Sequence, residues 1–475
     1  MTSKKGLPVG WGSGRIIGFG LKKYTHTPVW KRAHWGGAFL SAALVFVLFG
    51  FAEPAEAARW EVRSDTSAQL YRFLDSDRRP IERLRFAEVL SISVMTPASD
   101  TEAPIFARTL LRSQLDAGVA AAFADSQSTI QPSRTDILSA SVQGIGLWGG
   151  VLDFEAGRFI RLDSLGFALV DGAAVDLHSP WAFGVGVHAG VEPSEASNSF
   201  AWNPFRLDGF SEREDEPTVG MYGLSLFSRE MGLHTLRFDA REWRDSDSNI
   251  RGRQVGGALR LAYPSFVFFD LDARLDLVDR ILADLRGRVL VPISLKVDLE
   301  TRYLRLVPVF DTFSIFGIYP RYPMQELSFG GRLRMSPSVM LTARASSRIV
   351  EDARGKEVEP GVHAGARYIK GRRMLMGSFE HFSGATGDWS LALLQGVTPI
   401  YVERLVLKCG LTALKVEDSV NPGLETWGGG GHMSLDYAFG GEWVGRIYVE
   451  DHETRLEKRA VRAVLMLTTA LGGSL

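Results

Sequence analysis

The sequence predicts an all-β chain folded as a closed antiparallel transmembrane β-barrel of about 22 strands, with 16 to 22 allowed by the spacing. Three observations predict it. Long stretches alternate apolar and charged residues, an export-type leader opens the chain, and short and long connections take turns along it.

The alternation is clearest between Leu233 and Val307, where Ile293-Ser294-Leu295-Lys296-Val297-Asp298-Leu299-Glu300 changes character at every step. Upstream, Val267, Phe269, Leu271, Ala273 and Leu275 interleave with Phe268, Asp270, Asp272, Arg274 and Asp276. Side chains on a strand point to opposite faces with period two, so each segment has an apolar face and an ionic one. A soluble sandwich turns the ionic face outward. A membrane barrel inverts this, giving lipid the apolar face and lumen water the charges.

The phase recurs downstream. Leu327, Phe329, Leu333 and Met335 alternate with Ser328, Arg332 and Arg334, and Val339, Leu341, Ala343 and Ala345 with Arg344, Ser346 and Arg348. Met433, Leu435, Tyr437 and Phe439 alternate with His432, Ser434 and Asp436. A charge turned to lipid at mid-bilayer costs roughly 2–4 kcal/mol, so phase is under constraint. It slips near Glu88 and around Glu380, where a bulge, a rim position or a changed register is expected.

The leader decides between membrane and soluble readings. Residues 36–52 (GGAFLSAALVFVLFGFA) follow Lys31 and Arg32 and precede Ala55-Glu56-Ala57, the layout of a secretory signal peptide with Ala58 as first mature residue. As a membrane anchor, an apolar run of about 17 residues ending in Glu53-Pro54 is short. Expected organisation is therefore a signal peptide over 1–57 and a single barrel domain over 58–475. A start near Val29 would give an ordinary n-region and make 1–28 a misplaced gene start. No lipobox cysteine stands near the cleavage site.

Composition narrows the class without choosing it. The 475 residues carry 54 basic and 55 acidic side chains, net −1, which gives no electrostatic basis for nucleic-acid binding. Cys409 is the only cysteine, so an internal disulfide and a cysteine metal site are excluded. Between Leu407 and Leu411 it reads as a buried or lipid-facing thiol. There are 50 glycines and 20 prolines, and no second apolar run after residue 57.

Short connections are expected at Gly149-Gly150, Ser179-Pro180, Met231-Gly232, Tyr263-Pro264, Val291-Pro292, Ser336-Pro337, Lys370-Gly371, Thr398-Pro399 and Gly440-Gly441. Longer polar ones fall between them, at 124–135, 194–216, 244–251, 308–323, 351–360, 417–425 and 451–457. Tight periplasmic turns and longer extracellular loops give this rhythm. Short breaks near Leu165-Gly166, Asp279-Arg280 and Gly384–Gly387 depart from it. Residues 59–75 make a weak strand candidate, Arg83–Met95 a better one. Trp148, Trp181, Tyr263, Phe439 and Trp443 gather near the short turns, as rings at a membrane–water boundary do.

On these features the chain resembles bacterial outer-membrane β-barrel proteins of the porin-like kind, over roughly residues 59–471 and in architecture only. It departs from them at its end, Ala470-Leu471-Gly472-Gly473-Ser474-Leu475, where such barrels usually finish on an aromatic residue. The resemblance implies an outer-membrane location and passage of small hydrophilic solutes through a charged lumen. It implies contact with outer-membrane lipid and the barrel-assembly machinery, is compatible with a homo-oligomer, and implies neither nucleic acid nor cofactor. A structural or adhesive barrel with a closed lumen is the alternative, and an outer-membrane hydrolase a more distant one.

Candidate pore-lining residues are Arg237, Arg241, Arg274, Arg286, Arg288, Lys296, Asp298, Glu300, Arg302, Arg332, Arg334 and Arg344. Later strands add Arg348, Arg367 and Lys408, a basic excess that predicts a weak preference for anions. The blander role for each is a cross-strand ion pair worth roughly 0.2–1 kcal/mol. Two loops could constrict the pore, 194–216 with Trp202, Phe205 and Phe210, and 308–323 with Phe310, Phe313, Phe316, Tyr319 and Tyr322. Loop–loop packing at the rim is the blander explanation and the one the residues favour.

Enzyme signals are poor. The histidines are dispersed without metal spacing. His178-Ser179 and His381 near Ser383 are close in sequence, which on a strand is not closeness in space. Gly184-Val185-Gly186-Val187-His188-Ala189-Gly190 resembles a dinucleotide loop but sits inside a strand pattern with no helix after it. No catalytic residue and no metal ligand is expected.

Overall fold

The computed structural model describes residues 58–74, 80–96, 103–116, 133–192, 219–228, 234–263, 266–307, 323–352, 355–384, 387–401, 404–418, 426–453 and 459–474. Residues 1–57, and with them the expected signal peptide, lie outside these. So do 193–218 and 308–322, which hold the aromatic residues of both expected constricting loops.

The described chain forms one 22-stranded sheet. In order the strands are β1 (Arg59–Leu74), β2 (Pro80–Met95), β3 (Ile105–Asp116), β4 (Ser133–Gly146), β5 (Leu152–Asp163), β6 (Gly166–His178), β7 (Phe183–Glu192) and β8 (Val219–Ser228). Next come β9 (Thr235–Arg244), β10 (Ile250–Tyr263), β11 (Val267–Asp276), β12 (Ile281–Pro292), β13 (Val297–Leu306), β14 (Met324–Ser336) and β15 (Val339–Asp352). The last are β16 (Gly355–Lys370), β17 (Arg373–Gly384), β18 (Gly387–Tyr401), β19 (Leu405–Asp418), β20 (Thr426–Gly440), β21 (Trp443–Glu453) and β22 (Ala460–Ser474). Each pairs antiparallel with the next. β1 then pairs with β22 from Arg59↔Ser474 to Arg72↔Val461, which closes the ring and satisfies both edges. The weak candidate at 59–75 is thus the closing strand.

The faces divide as a membrane barrel requires. On β18 both sides are apolar, yet Leu394 is exposed while Leu391 and Leu393 are half-buried. Curvature spreads side chains on the convex side and crowds them on the concave side, so Leu394 marks the outside. Followed through the ladders, that side carries Leu411 and Met433, and on other strands Leu224, Phe238, Leu327 and Phe329, all exposed. The inner side carries Asp239, Arg241, Asp298, Glu359 and Asp436, all buried. Cys409 lies on the outer face, exposed.

Two turn positions differ from the sequence expectation. The turn placed at Val291-Pro292 lies at 293–296, because the Ser294 Oγ accepts the backbone N–H groups of Lys296 and Val297 and Ile293 donates to the Val297 carbonyl. Ile293, Leu295 and Lys296 therefore belong to a turn, and the strand starts at Val297. The turn expected at Thr398-Pro399 comes after Tyr401, with a register shift between Pro399 and Tyr401 absorbing the missing proline N–H. Neither phase slip brings the expected bulge, rim position or changed register. Glu380 faces inward in continuous register, and Glu88 faces outward in mid-strand between Thr66 and Ser113, again without a shift.

Aromatic residues collect where the short turns are. Trp148, Trp181, Tyr263, Phe439 and Trp443 are all exposed there. Trp148 adopts a left-handed φ of 54° within the tight Leu147–Gly150 turn, flanked by Gly146 and Gly149 in the same region.

Candidate channel interior and its inward hairpin

One connection on the long-loop side is short, and it does not stay in the wall. β5 pairs with β4 only from Phe154 to Arg158, and β6 pairs with β7 only from Asp171 to His178. Beyond those points the two strands pair with each other alone, up to Asp163↔Gly166. Arg161 shows where this hairpin goes. Its guanidinium makes a bidentate pair with Asp176 at 2.7 and 2.8 Å. Asp176 lies opposite Asp153, eight residues from Arg161, about 26 Å in a straight ladder and far beyond an arginine's reach. The hairpin must fold back over the inner wall.

It lies along a single cross-strand row. Asp176, Gly186, Ser225, Asp239, Gly256 and Arg274 are successive register partners from β6 to β11. Ser164 donates from N–H and hydroxyl to the Asp239 carboxylate at 2.8 and 2.6 Å, and Ser225 donates to its other oxygen at 2.6 Å. Arg241 pairs with Asp163 at 2.5 Å, both side chains almost fully buried. Arg274 donates to the Leu165 carbonyl at 3.5 Å. Phe159, Ala168 and Val170 pack on Met221 and Trp243, the apolar core of this contact.

Small residues make room for the second layer. A Cβ on Gly256 would stand 2.6 Å from Leu165, and one on Gly186 would stand 2.0 Å from the Asp176 carboxylate. Where the hairpin leaves the wall, Gly157 has a φ of +118°, and a Cβ on Gly172 would lie 2.1 Å from the Ala189 carbonyl oxygen. Only glycine permits that crossing. Beneath the hairpin the His188 imidazole is buried against Gly223, with neither nitrogen hydrogen-bonded among the described residues.

Of the twelve candidate pore residues, eleven sit on the inner face of β9 and β11–β15, while Lys296 sits exposed in the 293–296 turn. Arg237 pairs with Asp239 at 2.8 Å, Arg286 with Asp284 at 2.7 Å and Arg344 with Glu380 at 3.3 Å. Arg288 and Arg302 share Glu300, and Arg332 and Arg334 share Asp298 at 3.5 and 3.0 Å. Arg241 and Arg274 hold the hairpin instead of standing free in the lumen. The hairpin residues Arg161, Asp163 and Ser164 went unremarked in the sequence. Their signal was a tight Asp163–Gly166 link where the rhythm calls for a long loop.

The histidines behave as strand residues. His178 bonds Asp153 at 2.7 Å beside a turn, and His381 meets Ser390 at 2.9 Å on the outer face. Among the described residues no acidic, histidine or cysteine group of metal-binding size occurs, and no helix is long and apolar enough to cross a membrane.

No family model and no curated protein matches the sequence. Among solved structures, the chain is similar to vanillate-bound OpdK of Pseudomonas aeruginosa at 8% identity, over 88% of this chain and 99% of that one, with a TM-score of 0.44. OccAB2 of Acinetobacter baumannii follows at 9% identity, 87% and 98% coverage and 0.44. A BenF-like porin from Pseudomonas fluorescens Pf-5 stands at 8%, 87% and 99%, and 0.45.

Proposed function

We propose that this chain is an outer-membrane channel through which small hydrophilic solutes diffuse, narrowed by the β5–β6 hairpin. The inverted faces carry the proposal: apolar side chains cover the outside of a closed ring while most of its inner strands carry ionic side chains. Lipid would solvate the first and lumen water the second. The hairpin takes up part of the cross-section, so solute would pass beside it, along the guanidiniums of β12–β15. In that sector Asp298 and Glu300 each face two arginines, which supports a weak preference for anions.

Purified protein reconstituted in planar bilayers should give discrete single-channel currents, with reversal potentials in a salt gradient displaced toward anions. Cation selectivity would reject the preference, and bilayers that stay electrically silent would reject the channel. The second reading, a closed structural barrel, draws on the hairpin's close fit across β6–β11. The same recordings separate the two.

A further inference from the structure

The inner wall is not ionic all the way round. On β17–β19 the inward positions include Phe382, Trp389, Leu391, Leu393, Val397 and Leu414. At the inward positions of these strands Glu380, Lys408 and, at the end of β19, Asp418 are charged, and Ser378, Gln395 and Thr412 are polar. Since the outer face here is apolar as well, lipid contact does not explain the inner one. The stripe runs the height of the wall, from Phe382 and Trp389 at one end to Val397 at the other. At its head the two rings stack, 5.0 Å between centroids and 18° apart in plane. The Arg348 guanidinium lies 3.9 Å from the Phe382 centroid.

A second apolar surface sits on the hairpin. The side carrying Phe159, Arg161 and Val170 packs on the wall, and the other side leaves Leu162 69% and Phe167 64% exposed. The hairpin rests on β8–β11, and β19 lies eleven strands from β8 in a ring of 22, half the circumference away. Two apolar surfaces thus belong to opposite sides of one interior whose other walls are charged. A partner that suits both environments has an apolar body and a polar end.

We propose that this interior carries an apolar track selecting small amphipathic solutes, those with one ring or short aliphatic chain, over fully polar solutes of similar size. This rests on the channel reading and names its solute class. A solute entering at Trp389 would exchange hydration of its apolar part for contact with Leu391, Leu393 and Leu414, while its polar end stays in water or beside Arg344. The hairpin face holds it from the other side.

The test compares L-phenylalanine with L-glutamine, zwitterions of similar mass, by swelling of proteoliposomes containing the full chain. Phenylalanine should enter faster by roughly fivefold, about what partial burial worth one methylene group provides. The ratio should fall toward one in Leu391→Gln/Leu393→Gln, and partly in Leu162→Ser. Equal entry of both amino acids through wild-type channels that conduct salt would overturn the track and leave the channel standing. Absence of salt conductance would overturn both. In a Cys409→Ser background, Leu393→Cys should react with a water-soluble thiol reagent. A protected thiol would show the stripe packed by this chain's own residues and would also overturn the proposal.

Discussion

Glu88 is the residue least at home in this wall. It stands exposed on the outer face with Phe86 and Leu84 on one side and Leu90 and Ile92 on the other, and its described partner is the Ser64 hydroxyl at 3.3 Å. A carboxyl turned to hydrocarbon is destabilising, though less so than a lysine or arginine. Replacing it should therefore help. Glu88→Leu is expected to raise stability by about 1–2 kcal/mol, read as a higher urea midpoint for protein folded into lipid vesicles. An unchanged or lower midpoint would mean that this face meets something other than lipid. Gly172 makes the opposite case, because a Cβ there meets backbone. Gly172→Val should lower stability by roughly 1–3 kcal/mol, read as a lower midpoint. Gly287→Ala, where the added Cβ would have Leu271 as its nearest neighbour at 3.9 Å, should change stability by less than about 0.5 kcal/mol.

The hairpin is held chiefly by the buried pair Arg241–Asp163 and by the hydroxyl and amide of Ser164 on Asp239. Taking away one partner of a buried pair strands the other, at a cost of about 3–5 kcal/mol, whereas replacing both with apolar groups is often nearly neutral. Arg241→Ala should accordingly loosen the hairpin, giving larger and noisier single-channel currents. Arg241→Met/Asp163→Leu should keep the wild-type current. If the single and double variants conduct alike, the pair does not hold the constriction. Sequence alone gave little warning of this element. β5 and β6 begin and end as ordinary wall strands, with a change of phase at Arg158-Phe159 and an unbroken apolar run at Phe167-Ala168-Leu169-Val170 between. What bends them inward is a set of glycines at 157, 172, 186 and 256, distant in sequence and brought together only by the register of six strands.

For the whole ring, closure depends on β22 meeting β1 over fourteen residue pairs. A closed barrel resists detergent until heated, so membrane-extracted protein should migrate differently on gels before and after boiling. Removal of residues 460–475 should abolish that difference, because β1 and β21 would each be left with an unpaired edge. A truncated chain that still shifted on heating would place the closing seam elsewhere.

Much of the architecture was legible from period-two alternation, since any one-residue slip carries every side chain to the wrong solvent. Strand number, the apolar exterior, the aromatic belt and the inward guanidiniums of β12–β15 all follow from that local constraint. The inner stripe of β17–β19 was not legible, because residues apolar on both faces show no alternation and cannot say which side is in. Nor was the pairing of Arg288 and Arg302 with one carboxylate, which depends on register. The chain's own order of residues thus determined that it would curl into a ring with its oily side out. Only the folded arrangement decided what fills the ring, because the hairpin's resting place and the stripe facing it depend on contacts between strands far apart in sequence.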